Sequence, residues 1–134
     1  MSTPVSVWAK RGVVLGLLLV ACDLLTGCAG RAAQVHLRTA QGAHAALEVA
    51  ADAIEGICTT ERAQREGDGF VLRCHRATEA QHLAVEAHTQ WTLAAGTEGL
   101  DGPAVAVHLA TLVELYRELQ AFLGLYDRDL PEVF

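Results

Sequence analysis

The sequence predicts an all-α fold: a small antiparallel three-helix bundle behind an N-terminal apolar segment. Composition is the first reason. From Cys28 onward 21 residues are alanine, and aromatic residues are only 5% of the chain, a balance that favours helix over sheet. Periodicity is the second. Apolar residues recur at alternating spacings of three and four in three separate stretches, the signature of amphipathic helices. The third is punctuation, since glycine-containing turns separate those stretches and no long linker or repeat intervenes. Residues 28–134 suffice for one small domain.

The apolar segment comes first in the chain. Lys10 and Arg11 precede an apolar run from Gly12 to Ala21, and Leu25-Thr26-Gly27-Cys28 follows. This stretch resembles a bacterial lipoprotein signal peptide, in which a small-residue lipobox precedes a cysteine that receives diacylglycerol and becomes the new N-terminus. The resemblance covers the first 28 residues only. It divides the chain into a signal peptide, 1–27, and a helical domain, 28–134. A membrane-spanning helix over 12–25 competes poorly, because a span takes about 20 apolar residues and this stretch is shorter, with Asp23 inside it. An ordinary secretory signal would end in an A-x-A site instead.

Leu19-Val20-Ala21-Cys22 also fits a lipobox, so Cys22 is the alternative lipidation site to Cys28. Cysteine parity favours Cys28. Cleavage there leaves Cys58 and Cys74 as an even pair, whereas cleavage before Cys22 strands Cys28 as an odd thiol in an oxidising compartment. The choice bears on address. In Gram-negative lipoproteins, Asp directly after the lipidated cysteine resembles an inner-membrane retention signal. Cys22-Asp23 carries it and Cys28-Ala29 does not, so the periplasmic side of the outer membrane is the expected location.

The formal charge of −6 becomes −7 when Lys10, Arg11 and Asp23 leave with the signal. The remaining domain has no lysine and eight arginines. That acidic balance argues against a nucleic-acid partner. It also gives no polybasic attraction to lipid headgroups, so attachment would rest on the acyl chains.

The first helix is expected over about 31–60. Leu37, Ala40, His44, Leu47, Ala51, Ile54 and Cys58 form one stripe at about 100° per residue. Gln34, Gln41, Glu48, Asp52 and Glu55 form a narrow polar wedge, and small or apolar residues fill the remaining arc. So narrow a polar face implies more than one neighbour. Within that arc, Gly42, Ala46, Val49 and Ala53 make a small-residue seam. A homodimer or a partner helix could approach closely there.

Glu61–Gly69 reads as a charged connection closing on Gly67-Asp68-Gly69, although the first helix could continue to Glu66 with Gly67 as its cap. The second helix is expected over 71–95, ended by Gly96, with Cys74, Ala77, Ala80, Ala84, Ala87, Trp91 and Ala94 buried. After a Gly-rich loop, Pro103 opens the third helix, 103–126, at a first-turn position where its missing N–H costs nothing. Its stripe is Val105, Leu109, Leu112, Tyr116, Leu119, Leu123 and Tyr126. Asp127–Phe134 is a short tail. One antiparallel bundle is the economical arrangement.

Cys58 and Cys74 lie about equally far from the turn between the first two helices, on the faces expected to meet. Alanines beside them allow the close backbone approach that a disulfide requires. Their separation fits no CxxC redox motif, haem attachment or paired-CxxC zinc site, so the expected role is structural.

All six histidines lie beyond Cys28. His75, Glu79, His82 and Glu86 share one face of the second helix, at spacings that allow pairs of them to reach a common ion. Glu79 and His82 also have the Glu-x-x-His spacing of di-iron bundles. The face points roughly 150–200° away from the buried stripe, however, and no second such motif exists. A solvated face is the plain expectation; a surface Zn²⁺ or Cu²⁺ site, or a pH-sensitive contact, is the alternative. His44 and His108 fall on apolar stripes, where a core imidazole bonded to a backbone carbonyl is expected. His36 and His88 sit near stripe edges and carry no signal.

The sequence contains no G-x-S-x-G elbow, phosphate-binding glycine loop, H-E-x-x-H or EF-hand loop. Beyond Cys28 it has no serine. A non-catalytic, lipid-anchored structural or interaction module is therefore expected, with no cofactor. A periplasmic metal-binding or metal-sensing lipoprotein is the alternative. A phage-derived lysis or exclusion lipoprotein is the weaker one, suggested by small size and similar anchoring.

Overall fold

The structure is a computed structural model that describes the backbone of residues 5–134 and the side chains of residues 30–134. Cys22, Cys28 and the signal resemblance lie outside the described side chains. The chain divides into two compact units, Met1–His36 and Leu37–Phe134, and the second of them holds the bundle. Among the described residues there are four helices and no strand: α1 (Val5–Ile57), α2 (Thr60–Glu66), α3 (Asp68–Glu98) and α4 (Pro103–Gly124). None of them is long and apolar enough, over the described residues, to cross a membrane.

The fold is a small all-α bundle. Residues 37–57 of α1 run antiparallel to α3, as three links show. His88 meets the Ala40 carbonyl, Gln81 meets the Leu47 carbonyl, and Cys58 meets Cys74. The return of α4 is antiparallel as well, since Phe70 at the start of α3 packs edge-on against Tyr126 just past the end of α4. The core at their centre is alanine-rich around a few large side chains. Trp91, Phe70, Leu47, Leu112, Leu119 and Leu123 are the largest that are fully buried.

The second helix buries the expected face: Ala77, Ala80, Ala84, Ala87, Trp91 and Ala94 are all enclosed, with Cys74 half-buried. The third agrees as well, with Leu109 and Tyr126 half-buried and the rest of its stripe enclosed.

The first helix does not. Leu37 is 56% exposed and His44 is exposed, whereas Ala43, Ala46 and Ala50 are enclosed. The buried face lies about 80° from the predicted stripe, toward the small-residue arc. Ala40, Leu47 and Ile54 belong to both faces and are buried on either reading. Small side chains won because they let backbones approach closely, which a ranking by side-chain size does not register.

Boundaries also shift. The connection predicted as a charged loop contains α2, a separate two-turn helix. The first helix stops at Ile57, not at residue 60, because Thr59 is extended (φ −79°, ψ 153°) and its side chain accepts the Arg62 N–H at 3.3 Å as an N-cap. Arg62 then fixes α2 in place. Its guanidinium lies 4.7 Å from the Tyr126 ring centre and 5.6 Å from that of Phe70, and its Nε donates to Glu66.

Helix α3 begins at Asp68, three residues before expectation, and passes through Gly96 to Glu98. The chain turns instead at Gly99, whose φ of +82° suits glycine. Glu98 reaches across that turn to accept the Ala104 N–H at 3.3 Å, so one carboxylate covers an open donor of α4. Helix α4 ends at Gly124 and not at residue 126. Leu125 and Tyr126 donate to carbonyls three residues back, and Asp127 adopts a left-handed φ of +57° that turns the tail back.

Candidate functional site

The hairpin end carries the cysteine pair. Cys58 is joined to Cys74 by a disulfide with a Cα–Cα distance of 5.9 Å, well inside the range a bridge requires. Beside it, a cleft of about 310 Å³ lies between α1 and α3, lined by Glu55, Gln81 and His82 among others. Gln81 Nε2 donates to the Leu47 carbonyl at 3.4 Å and ties the walls of the cleft together.

His82 is thus the member of the predicted constellation nearest to a concavity. His75, Glu79, His82 and Glu86 are all exposed on α3. Among the described residues, no group of three or more His, Cys, Asp or Glu side chains is arranged to hold a metal ion. The four stand along one helical face, each open to solvent.

The opposite end holds the cluster that the sequence pattern did not reveal. His88 is half-buried, and its Nε2 lies 2.8 Å from the Ala40 carbonyl, so Nε2 carries the donating proton. The Trp91 ring stands edge-on to the His88 ring at 5.9 Å, and the His44 ring tilts against the His88 ring at 5.7 Å. The backbone-bonded core histidine is therefore His88, not His44. His44 is a surface residue whose Nε2 lies 3.4 Å from Glu48, and His108 is half-buried. Helical spacing from Ala84 and Trp91 could have pointed to His88, because it adjoins that stripe on its α1 side.

The tail completes this end. Leu130 is buried, Val133 packs on the core, and the Phe134 ring stands edge-on to both Tyr116 and Trp91. The Tyr116 hydroxyl donates to the Pro131 carbonyl. Part of the small-residue seam is consequently covered from within. Val133 lies against Gly42, Ala46 is buried at 1% exposure, and Ala53 is half-buried, leaving Val49 as the exposed member. What remains open is a groove of about 470 Å³ between α1 and the tail. The tail thus covers the seam at Gly42 and leaves it open at Val49.

Burial raises the Tyr116 pKa above its ordinary value of 10.0. The neutral phenol is favoured in the fold, so its contribution is full below pH 10 and is lost as pH rises through the raised value. Tyr116→Phe should cost about 1 kcal/mol in urea denaturation at neutral pH. It should also remove part of the alkaline loss of stability seen in the parent.

Several threonine hydroxyls are committed to backbone groups. Thr78, Thr89, Thr97 and Thr111 donate to carbonyls four residues back in their own helices, and Thr59 caps α2. No family model, no curated protein and no solved structure matches the chain.

Proposed function

We propose that this protein is a lipid-anchored module of the bacterial envelope that acts by contact rather than by catalysis. It would be held on the periplasmic side, with the outer membrane as its address. The observation that carries the reading is Leu25-Thr26-Gly27-Cys28 behind a charged and apolar leader. The Cys58–Cys74 disulfide supports it, because such bridges persist in oxidising compartments and are rare in the cytosol.

An interaction role agrees with the chemistry of the surface. Thr78, Thr89, Thr97 and Thr111 donate to backbone carbonyls, and the half-buried imidazole of His88 bonds a carbonyl of α1. The outer faces of the helices carry exposed apolar side chains, Val49, Leu83, Leu93, Val107 and Leu125 among them. Those faces are the working surface of the proposal.

Fractionation tests the anchor. Cys28→Ala should abolish acylation and move the protein from membranes to the soluble fraction, while Cys22→Ala should leave both unchanged. Retention of the Cys28→Ala protein in membranes would remove the reading.

A further inference from the structure

We propose that the outer groove between α3 and α4 is a self-association face that takes a second copy of this chain. The groove encloses about 330 Å³ and is open to solvent. Its α3 wall carries Arg73 and Arg76, and its α4 wall carries Glu118. Among the described residues no ion pair joins these walls. Leu125, at one end, is 67% exposed, the highest value among the exposed large apolar side chains of the described residues.

The charges are self-complementary. Because α3 and α4 are antiparallel, with Phe70 level with Tyr126, Arg76 and Glu118 stand at nearly the same height and Arg73 lies about one turn further along the groove. A two-fold axis parallel to the helices lays α3 of one copy over α4 of the other at that height. Arg76 of each copy then faces Glu118 of its partner, with Arg73 about one turn further along, and the contact occurs twice. Glu114, one turn along α4 from Glu118, extends the acidic wall. A purely acidic partner would be attracted by one wall and repelled by the other. A second copy satisfies both.

The packing suits the same partner. Ala77, Ala80 and Ala121 line the groove, and side chains of that size let helix axes approach closely. The assembled α3 and α4 pairs form an antiparallel four-helix arrangement that covers Leu125 from each copy. Pairing here uses a different surface from the α1 seam, and it does not depend on the lipid anchor.

Sedimentation velocity of the full-length chain in density-matched detergent tests the proposal. The parent should show a concentration-dependent monomer–dimer equilibrium that weakens from low to high salt. Arg76→Glu and Glu118→Arg should each raise the dissociation constant about tenfold or more, because like charges then face each other. The double variant restores opposite signs and should regain dimerisation. If a reversal loses helix content by circular dichroism, Arg76→Gln and Glu118→Gln replace it. Each neutral variant should weaken the dimer about threefold. A parent monomeric at every concentration overturns the proposal. So does a dimer that neither reversals nor neutral variants weaken, or a folded double variant that stays monomeric.

Discussion

Trp91→Ala should destabilise the bundle by about 3–5 kcal/mol, the range for removing a large aromatic side chain from a packed core. Trp91 is 2% exposed, and its helix-face neighbours Ala84, Ala87 and Ala94 are alanines. Such short side chains cannot swing into the space that an indole vacates, so the cavity would persist. The loss should spread to the tail and to α1, because Phe134 and His88 both pack against that ring. Urea denaturation measures the cost. Hydrogen exchange should show the tail opening before the rest of the variant does. A cost below about 1 kcal/mol would mean that the indole is not the centre of the core.

Removing the disulfide should have the second largest effect. Cys58 and Cys74 are 16 residues apart, and closing a loop of that size stabilises by about 3 kcal/mol on the chain-entropy model. For a domain of this length that is roughly 12–20 °C in melting temperature. The double substitution Cys58→Ala with Cys74→Ala, or reduction of the parent, should lower the melting temperature accordingly. Non-reducing peptide mapping should find the two cysteines joined in protein exported from the cytoplasm. An unreacted thiol at either position would contradict the structural role.

The contrast between α3 and α1 shows where the sequence was legible. In α3 the alanines recur at unbroken helical spacing up to Trp91, and that face was read correctly although Leu72, Leu83 and Leu93 stand exposed elsewhere on the helix. In α1 the polar wedge is narrow and two apolar arcs flank it. Choosing the arc with Leu37 and His44 followed side-chain size, but close approach put Ala43, Ala46 and Ala50 inside. The tail lay beyond periodicity altogether. Its path over Gly42 depends on the turn at Asp127 and on the Tyr116–Pro131 hydrogen bond, neither of which has a repeating pattern. The disulfide was legible because two cysteines equidistant from one turn must face each other in an antiparallel hairpin. The His88 contact was not, since a single imidazole at a stripe edge gives no indication of which carbonyl it will meet.

The lipid anchor is the central claim, and mass spectrometry of the N-terminal peptide of protein purified from membranes tests it most directly. The account predicts a chain that begins at Cys28 and carries diacylglycerol on its sulfur, with residues 1–27 absent. A chain that begins at Cys22, or one that retains Lys10 and Arg11 with an unmodified Cys28, would contradict it.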